Sequence, residues 1–238
     1  MPGKKKSPKE LTDKAPPQEA AEPTPGSGGR VVPHLTVQER VTQGKAARVH
    51  CPREAHAVWE PSPARPDPIQ LLEAQAATRI PELVPIRYGR MLVSPFAFYR
   101  GAAVIMASDL ATMPNTGLYT QLCGDAHLAN FGGFASPERD LILDINDFDE
   151  TLPGPWEWDV KRLAASVEIA CRERSFNAKM RRKLVLATVG EYHRAMREFA
   201  ELGSLDMWYL HLDPQAIQAR WGMTVTPKAI KAFEADLA

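Results

Sequence analysis

Two short apolar runs, LYTQLC (118–123) and LILDI (141–145), each stop abruptly at a cluster of acidic and amide side chains. The first leads into GDAHLANFGGF, which carries Asp125, His127 and Asn130. The second leads into NDFDE, which carries Asp147, Asp149 and Glu150. Apolar runs of this length bounded by glycine and turn residues read as strands. NFGGF, the turn-rich ASPERD and LILDIND therefore predict a strand pair joined by a loop, and such a hairpin can deliver the second acidic cluster to the first. Loops just beyond strand ends commonly carry sites, and polar groups of this kind are costly to bury without work to do.

The rest of the chain reads as mostly helical around this unit. Asp67 followed by Pro68 caps a helix over DPIQLLEAQAATRI, and AAVIMASDLA predicts another. FDETLPGPWEWD is too rich in proline for a helix and reads as a loop, with Trp156 and Trp158 packing against it. In DVKRLAASVEIACRE, Val160, Leu163, Ala164, Val167, Ala170 and Cys171 share one helical face, and Asp159 stands where a carboxylate can cap free amides. A long helix is expected from about Ala178 to Leu202, and another begins at Thr226 before Pro227. Residues 1–47 read as a disordered Lys/Pro-rich arm, since few large apolar side chains there can offset chain entropy. Residues 48–238 read as one domain, incomplete at the C-terminus because the chain stops within or just after a helix. The expected fold class is α+β.

Composition narrows the functions. A formal net charge of zero gives no broad basic field for nucleic acid or anionic membrane. No apolar run approaches the roughly 18 residues of a membrane span, and the charged N-terminus has no apolar stretch behind it. Three widely separated cysteines, Cys51, Cys123 and Cys171, make neither a disulfide framework nor a zinc pattern. A cytoplasmic setting is expected, with no specific nucleic-acid partner and no membrane.

The spacing Asp125-x-x-x-x-Asn130 lets a loop aim a carboxylate at a substrate hydroxyl and fold an amide back onto a metal. Asp147 is the natural second ligand, since magnesium takes hard oxygen donors and keeps several waters. CGDAHLANFG followed by LILDINDFDETLPGPWEWDVKRLA resembles the catalytic segment of aminoglycoside-phosphotransferase-type kinases. PELVPIRYGRM, PFAFYRGAA, LCGDAHLANFG and NDFDETLPGPWEWDVKRLAAS resemble, more closely, the bacterial family catalogued as domain of unknown function 2252, over roughly Arg48 to the C-terminus. That family is regarded as protein-kinase-like. The resemblance implies a catalytic-lobe fragment, mostly helical with a small β-hairpin carrying the site. It implies magnesium and ATP as cofactors and a hydroxyl-bearing acceptor as substrate. By it, Asp125 is the catalytic base, Asn130 and Asp147 are the metal ligands, and Asp159 braces the catalytic loop. His127 orders that loop.

Several residues stay open between two readings. Asp125 and Asn130 also suit a turn capped by its own side chains. Asp149 and Glu150 serve a metal or are loop charge, and Asp144 alternates along its strand and faces solvent. Arg87, Arg90 and Arg100 bind nucleotide phosphate or else pair with the carboxylates. No G-x-G-x-x-G or G-x-x-x-x-G-K-[ST] occurs in the chain. A half-domain or pseudokinase that binds a missing lobe is therefore the alternative to an active phosphotransferase. A metal-dependent phosphoesterase comes third, because His127 is the only histidine between His56 and His193.

Overall fold

A computed structural model of the chain describes residues 35–222. Most of the expected N-terminal arm and the helix expected from Thr226 lie outside the described residues. Within the arm's expected span, however, α1 runs over Val37–His50. Its start is a reciprocal cap: the Thr36 N–H donates to Glu39 Oε2 at 2.7 Å and the Glu39 N–H to Thr36 Oγ1 at 3.3 Å. The arm reading therefore extends too far. Past Pro33 the sequence has no further proline until Pro52, and a capping box outweighs the polar composition.

A layer of short helices follows: α2 (Pro68–Ala76), α3 (Val84–Met91), α4 (Pro95–Gly101) and α5 (Ala103–Leu110). Asp67 caps α2 through the Ile69 N–H, as its sequence predicts, and Ser94 caps α4 through the Ala97 N–H. Leu72, Met91 and Ala102 bury together beneath Tyr88, Val104 and Ile105. The proline-rich connector ahead of α2 is tied to α5 by a forked ion pair, Arg65 Nε to Asp109 Oδ1 at 2.6 Å and Nη2 to Oδ2 at 2.9 Å.

The strands are β1 (Tyr119–Leu122), β2 (Phe131–Ala135), β3 (Leu141–Ile145) and β4 (Leu152–Pro155). β2 and β3 form the expected antiparallel hairpin, with Phe131 opposite Ile145 and Ala135 opposite Leu141. β4 was not expected: within the proline-rich stretch, residues 152–155 pair antiparallel with β1, Leu122 opposite Leu152 and Tyr119 opposite Pro155. Proline is tolerated there because a two-stranded ladder leaves β4 an outer edge that needs no donor. α6 (Glu157–Glu173) then packs against α4, α5 and α7 (Ala178–Phe199). Asn177 caps α7 through the Met180 N–H. Trp156 stacks on Tyr192 of α7, ring centroids 5.9 Å apart and nearly parallel. Two further helices, α8 (Ser204–Trp208) and α9 (Pro214–Trp221), complete the described residues. The architecture is mixed α+β and mostly helical, with two small sheets rather than one hairpin.

Candidate functional site

β1 delivers the chain into the loop 123–130, and one face of α6 holds that loop at three successive points. Asp159 accepts the N–H groups of Cys123 at 2.8 Å and Gly124 at 3.2 Å. Arg162 donates from Nε to Asp125 Oδ1 at 2.6 Å. Ser166 Oγ accepts the Leu128 N–H at 2.9 Å while donating to the Leu163 carbonyl at 2.7 Å. Residues 159, 162 and 166 recur at the spacing of a single helical face. Asp159 is thus not a cap on its own helix: α6 begins two residues earlier, at Glu157, so its carboxylate turns to the loop amides instead.

Gly124 has φ of +84°, and a Cβ there would run into the Glu150 carbonyl. The close approach brings the start of this loop against the acidic stretch 147–150. Beyond Asp125, Asn130 closes the same junction from the other end. Its Nδ2 donates to the carbonyls of Asp125 and Asp147, both at 3.0 Å, and its Oδ1 accepts the Asp147 N–H at 3.0 Å. The Asn130 carbonyl accepts the Asn146 N–H as well. The β2–β3 hairpin therefore returns Asp147 directly to Asn130.

Charge is distributed unevenly across this junction. Asp125 is mostly buried, with Arg162 on Oδ1 and His127 Nε2 3.5 Å from Oδ2. Burial pushes the His127 pKa down, against the pull of Asp125, so the ring is neutral near pH 7. Its Nδ1 is buried without a protein partner. Burial raises the Asp159 pKa despite the two amides it accepts. Glu150 is also raised, by burial first and then by the negative charges of Asp125, Asp147 and Asp149. Asp147 Oδ1 accepts the Asp149 N–H at 3.1 Å. Asp144 is exposed and accepts the N–H of its neighbour Ile145.

Among the described residues, no three His, Cys, Asp or Glu side chains converge to hold a metal ion unaided. The donors present are nonetheless hard oxygens: the carboxylates of Asp147 and Asp149 and the remaining lone pair of Asn130 Oδ1. Such oxygens are the donor type that magnesium takes, and Asn130 Oδ1 already accepts the Asp147 N–H.

The three arginines expected near the carboxylates are placed differently from one another. Arg87 is half-buried and donates to the Gly101 carbonyl at 2.6 Å, with Asp125 and Glu150 in electrostatic reach. Arg100 is exposed and lies near enough to His127 to depress its pKa further. Arg90 is exposed, with no ion pair among the described residues. None of the three forms a salt bridge to the acidic clusters. Arg162 does so instead, and the sequence reading missed it.

Arg162 is 3% exposed, donates from Nη2 to the Tyr99 carbonyl at 3.0 Å and lies 4.5 Å from the Tyr99 ring centre. Tyr99 OH donates back to the Arg162 carbonyl at 2.9 Å, and burial pushes its pKa up to about 12. The signal was available: Arg162 and Ser166 follow Asp159 at three- and seven-residue steps. They lie off the apolar face that the helical periodicity marks. Cys123 is buried, and burial pushes its thiol up to about 12.

The family described as "Uncharacterized protein conserved in bacteria (DUF2252)" matches residues 79–235, more than half of the chain. No curated protein and no solved structure matches it.

Proposed function

The chain belongs to the bacterial family DUF2252, and from that footing we propose that it is an ATP- and magnesium-dependent phosphotransferase. Asp125 accepts the proton of an acceptor hydroxyl. The observation that carries the reading is the closure between Asn130 and Asp147. Through it, a loop bearing a candidate base and a hairpin bearing a candidate metal ligand share one hydrogen-bonded junction. Phosphoryl transfer asks little covalent chemistry of a protein and much positioning of charge, which suits such a junction.

Each residue has a task in this reading. Asp125 Oδ1 is committed to Arg162, so Oδ2 is the oxygen left to receive a proton. Asp147 and Asp149, with Asn130 Oδ1, would hold magnesium, which supplies charge neutralisation at the phosphates. Asp159 and Ser166 hold the loop's amides in place. Arg87 and Arg100 supply positive charge beside the loop, and Arg90 has no link to it in this structure. His127 is neutral and buried, and it supports Asp125 rather than reacting.

A second reading is favoured by one observation. No G-x-G-x-x-G or G-x-x-x-x-G-K-[ST] phosphate loop occurs in the sequence. In that reading the chain is a half-domain or pseudokinase whose nucleotide grip comes from another polypeptide segment.

The test of the first reading is ADP formation from ATP and magnesium by the full chain and by Asp125→Asn. A general base contributes about a hundredfold or more, so the variant should lose at least that much turnover while staying folded, though with a lower melting temperature because buried Arg162 loses its anionic partner. Equal turnover in the two proteins would remove Asp125 from the chemistry.

A further inference from the structure

We propose that Arg162 is a positioning residue for Asp125, a role that rests on the reading of Asp125 as the base. It fixes the carboxylate so that Oδ2 alone faces the acceptor. The geometry that carries this is the way Arg162 is itself held. Its guanidinium spans from the Asp125 carboxylate to the Tyr99 carbonyl, and the Tyr99 ring lies against it. Tyr99 OH in turn bonds the Arg162 carbonyl, so ring, guanidinium and helix backbone form a closed circuit. A planar guanidinium held along its Nε–Nη2 edge and against an aromatic ring cannot swing as a lysine would.

The cost of this arrangement argues that orientation is what it secures. Nη1 of Arg162 is buried without a protein partner, and the side chain lines a cavity of about 60 Å³ with Gly124 and Asp159. A buried donor left unpaired weighs against stability, and a buried ion pair is weak evidence for stability in any case. The carboxylate that this fork holds already has its loop anchored on either side, by Asp159 at residues 123–124 and Ser166 at 128. The loop has its own braces, so Arg162 acts on the one group they leave free, the Asp125 side chain.

The experiment uses the full chain and Arg162→Lys, which keeps the charge and loses the fork. ADP formation and magnesium–ADP affinity are read separately. The expected result is affinity within about threefold of the parent and turnover down by about tenfold or more, the pattern of an interaction made in the transition state. Parent-like turnover would overturn the role. So would equal losses in affinity and turnover, which mark a collapsed loop.

A second pair of variants keeps the question open to decision if Arg162→Lys folds poorly. In Asp125→Asn with Arg162→Gln, no charge is left unpaired. The added Arg162→Gln should change the residual rate of Asp125→Asn by less than about twofold, because no carboxylate remains to be held. A further loss would place Arg162 in some other task.

If the parent forms no ADP, the phosphotransferase reading fails by itself. The 15N spectrum of the His127 ring then decides the positioning of Asp125. Nε2 should carry the proton in the parent, since it faces Oδ2, and lose part of that preference in Arg162→Lys. An unchanged spectrum would contradict the role.

Discussion

Asn130 and Asp147, seventeen residues apart, are joined by two hydrogen bonds between the Asn130 side-chain amide and the Asp147 backbone. The amide oxygen of Asn130 accepts the Asp147 N–H and its nitrogen donates to the Asp147 carbonyl, each at 3.0 Å. Asn130 is 5% exposed, so these bonds are shielded from water. The same nitrogen reaches the Asp125 carbonyl, and one side chain thereby fixes both polar clusters.

Asn130→Ala should leave an N–H and two carbonyls short of a partner. Each such group costs about 1–3 kcal/mol when buried, and partial relaxation brings the expected total to about 3 kcal/mol. Asn130→Asp should be worse, because a carboxylate would then face two carbonyl oxygens. Urea unfolding midpoints measure both. An aspartate variant as stable as the parent would mean that the amide does not bridge the two segments.

Gly124→Ala tests the close approach of the loop to Glu150. The left-handed backbone alone costs an alanine about 1 kcal/mol, and the Glu150 carbonyl stands where the methyl would go. The loss should exceed that backbone value, and circular dichroism melting would show it. A loss of 1 kcal/mol or less would mean that the junction opens easily.

Glu150 gives a pH-dependent signature. Its folded pKa is raised above the ordinary value of 4.5. Its contribution to stability is therefore present below that value, while it is protonated, and is lost as pH rises through the folded pKa. Glu150→Gln should melt higher than the parent at pH 7, and the advantage should vanish as pH falls towards 4. Magnesium should raise the parent's melting temperature more than the variant's. A variant that melts lower at pH 7 would contradict the crowding of Asp125, Asp147 and Asp149 around this side chain.

Much of this arrangement was legible in the sequence and some of it was not, for physical reasons. The β2–β3 hairpin follows from apolar alternation bounded by turn residues, and Asp67 before Pro68 marked a helix start that the structure keeps. Periodicity is a local signal, and both hold locally. β4 was hidden because two prolines in four residues argue against a strand, and only the edge position beside β1 permits it. Arg162 was hidden because it stands off the apolar face that periodicity picks out, where a cation reads as solvated. Its partner, Asp125, lies thirty-seven residues away. The same distance concealed which arginine would meet the carboxylate: Arg87, Arg90 and Arg100 stand on the N-terminal side of the motif at comparable or shorter separations, yet none of them pairs with it.

The three cysteines, all free and buried, offer a check on the core around the loop. Cys123 starts the loop and its thiol is pushed up to about 12, so the thiolate is scarce at pH 8. Ellman's reagent at that pH should modify none of Cys51, Cys123 and Cys171 in the folded protein and all three in denaturant. Rapid reaction of Cys123 without denaturant would show that the segment held by Asp159 opens readily.

Calorimetric titration of the full chain with ATP decides whether the proposed magnesium-assisted nucleotide site stands at the Asn130–Asp147 junction. With magnesium present the chain should bind ATP, and Asp147→Asn should weaken that binding by about tenfold or more while leaving magnesium-free binding unchanged. Absence of magnesium-dependent binding in the parent, or an Asp147→Asn variant that binds as the parent does, would contradict it.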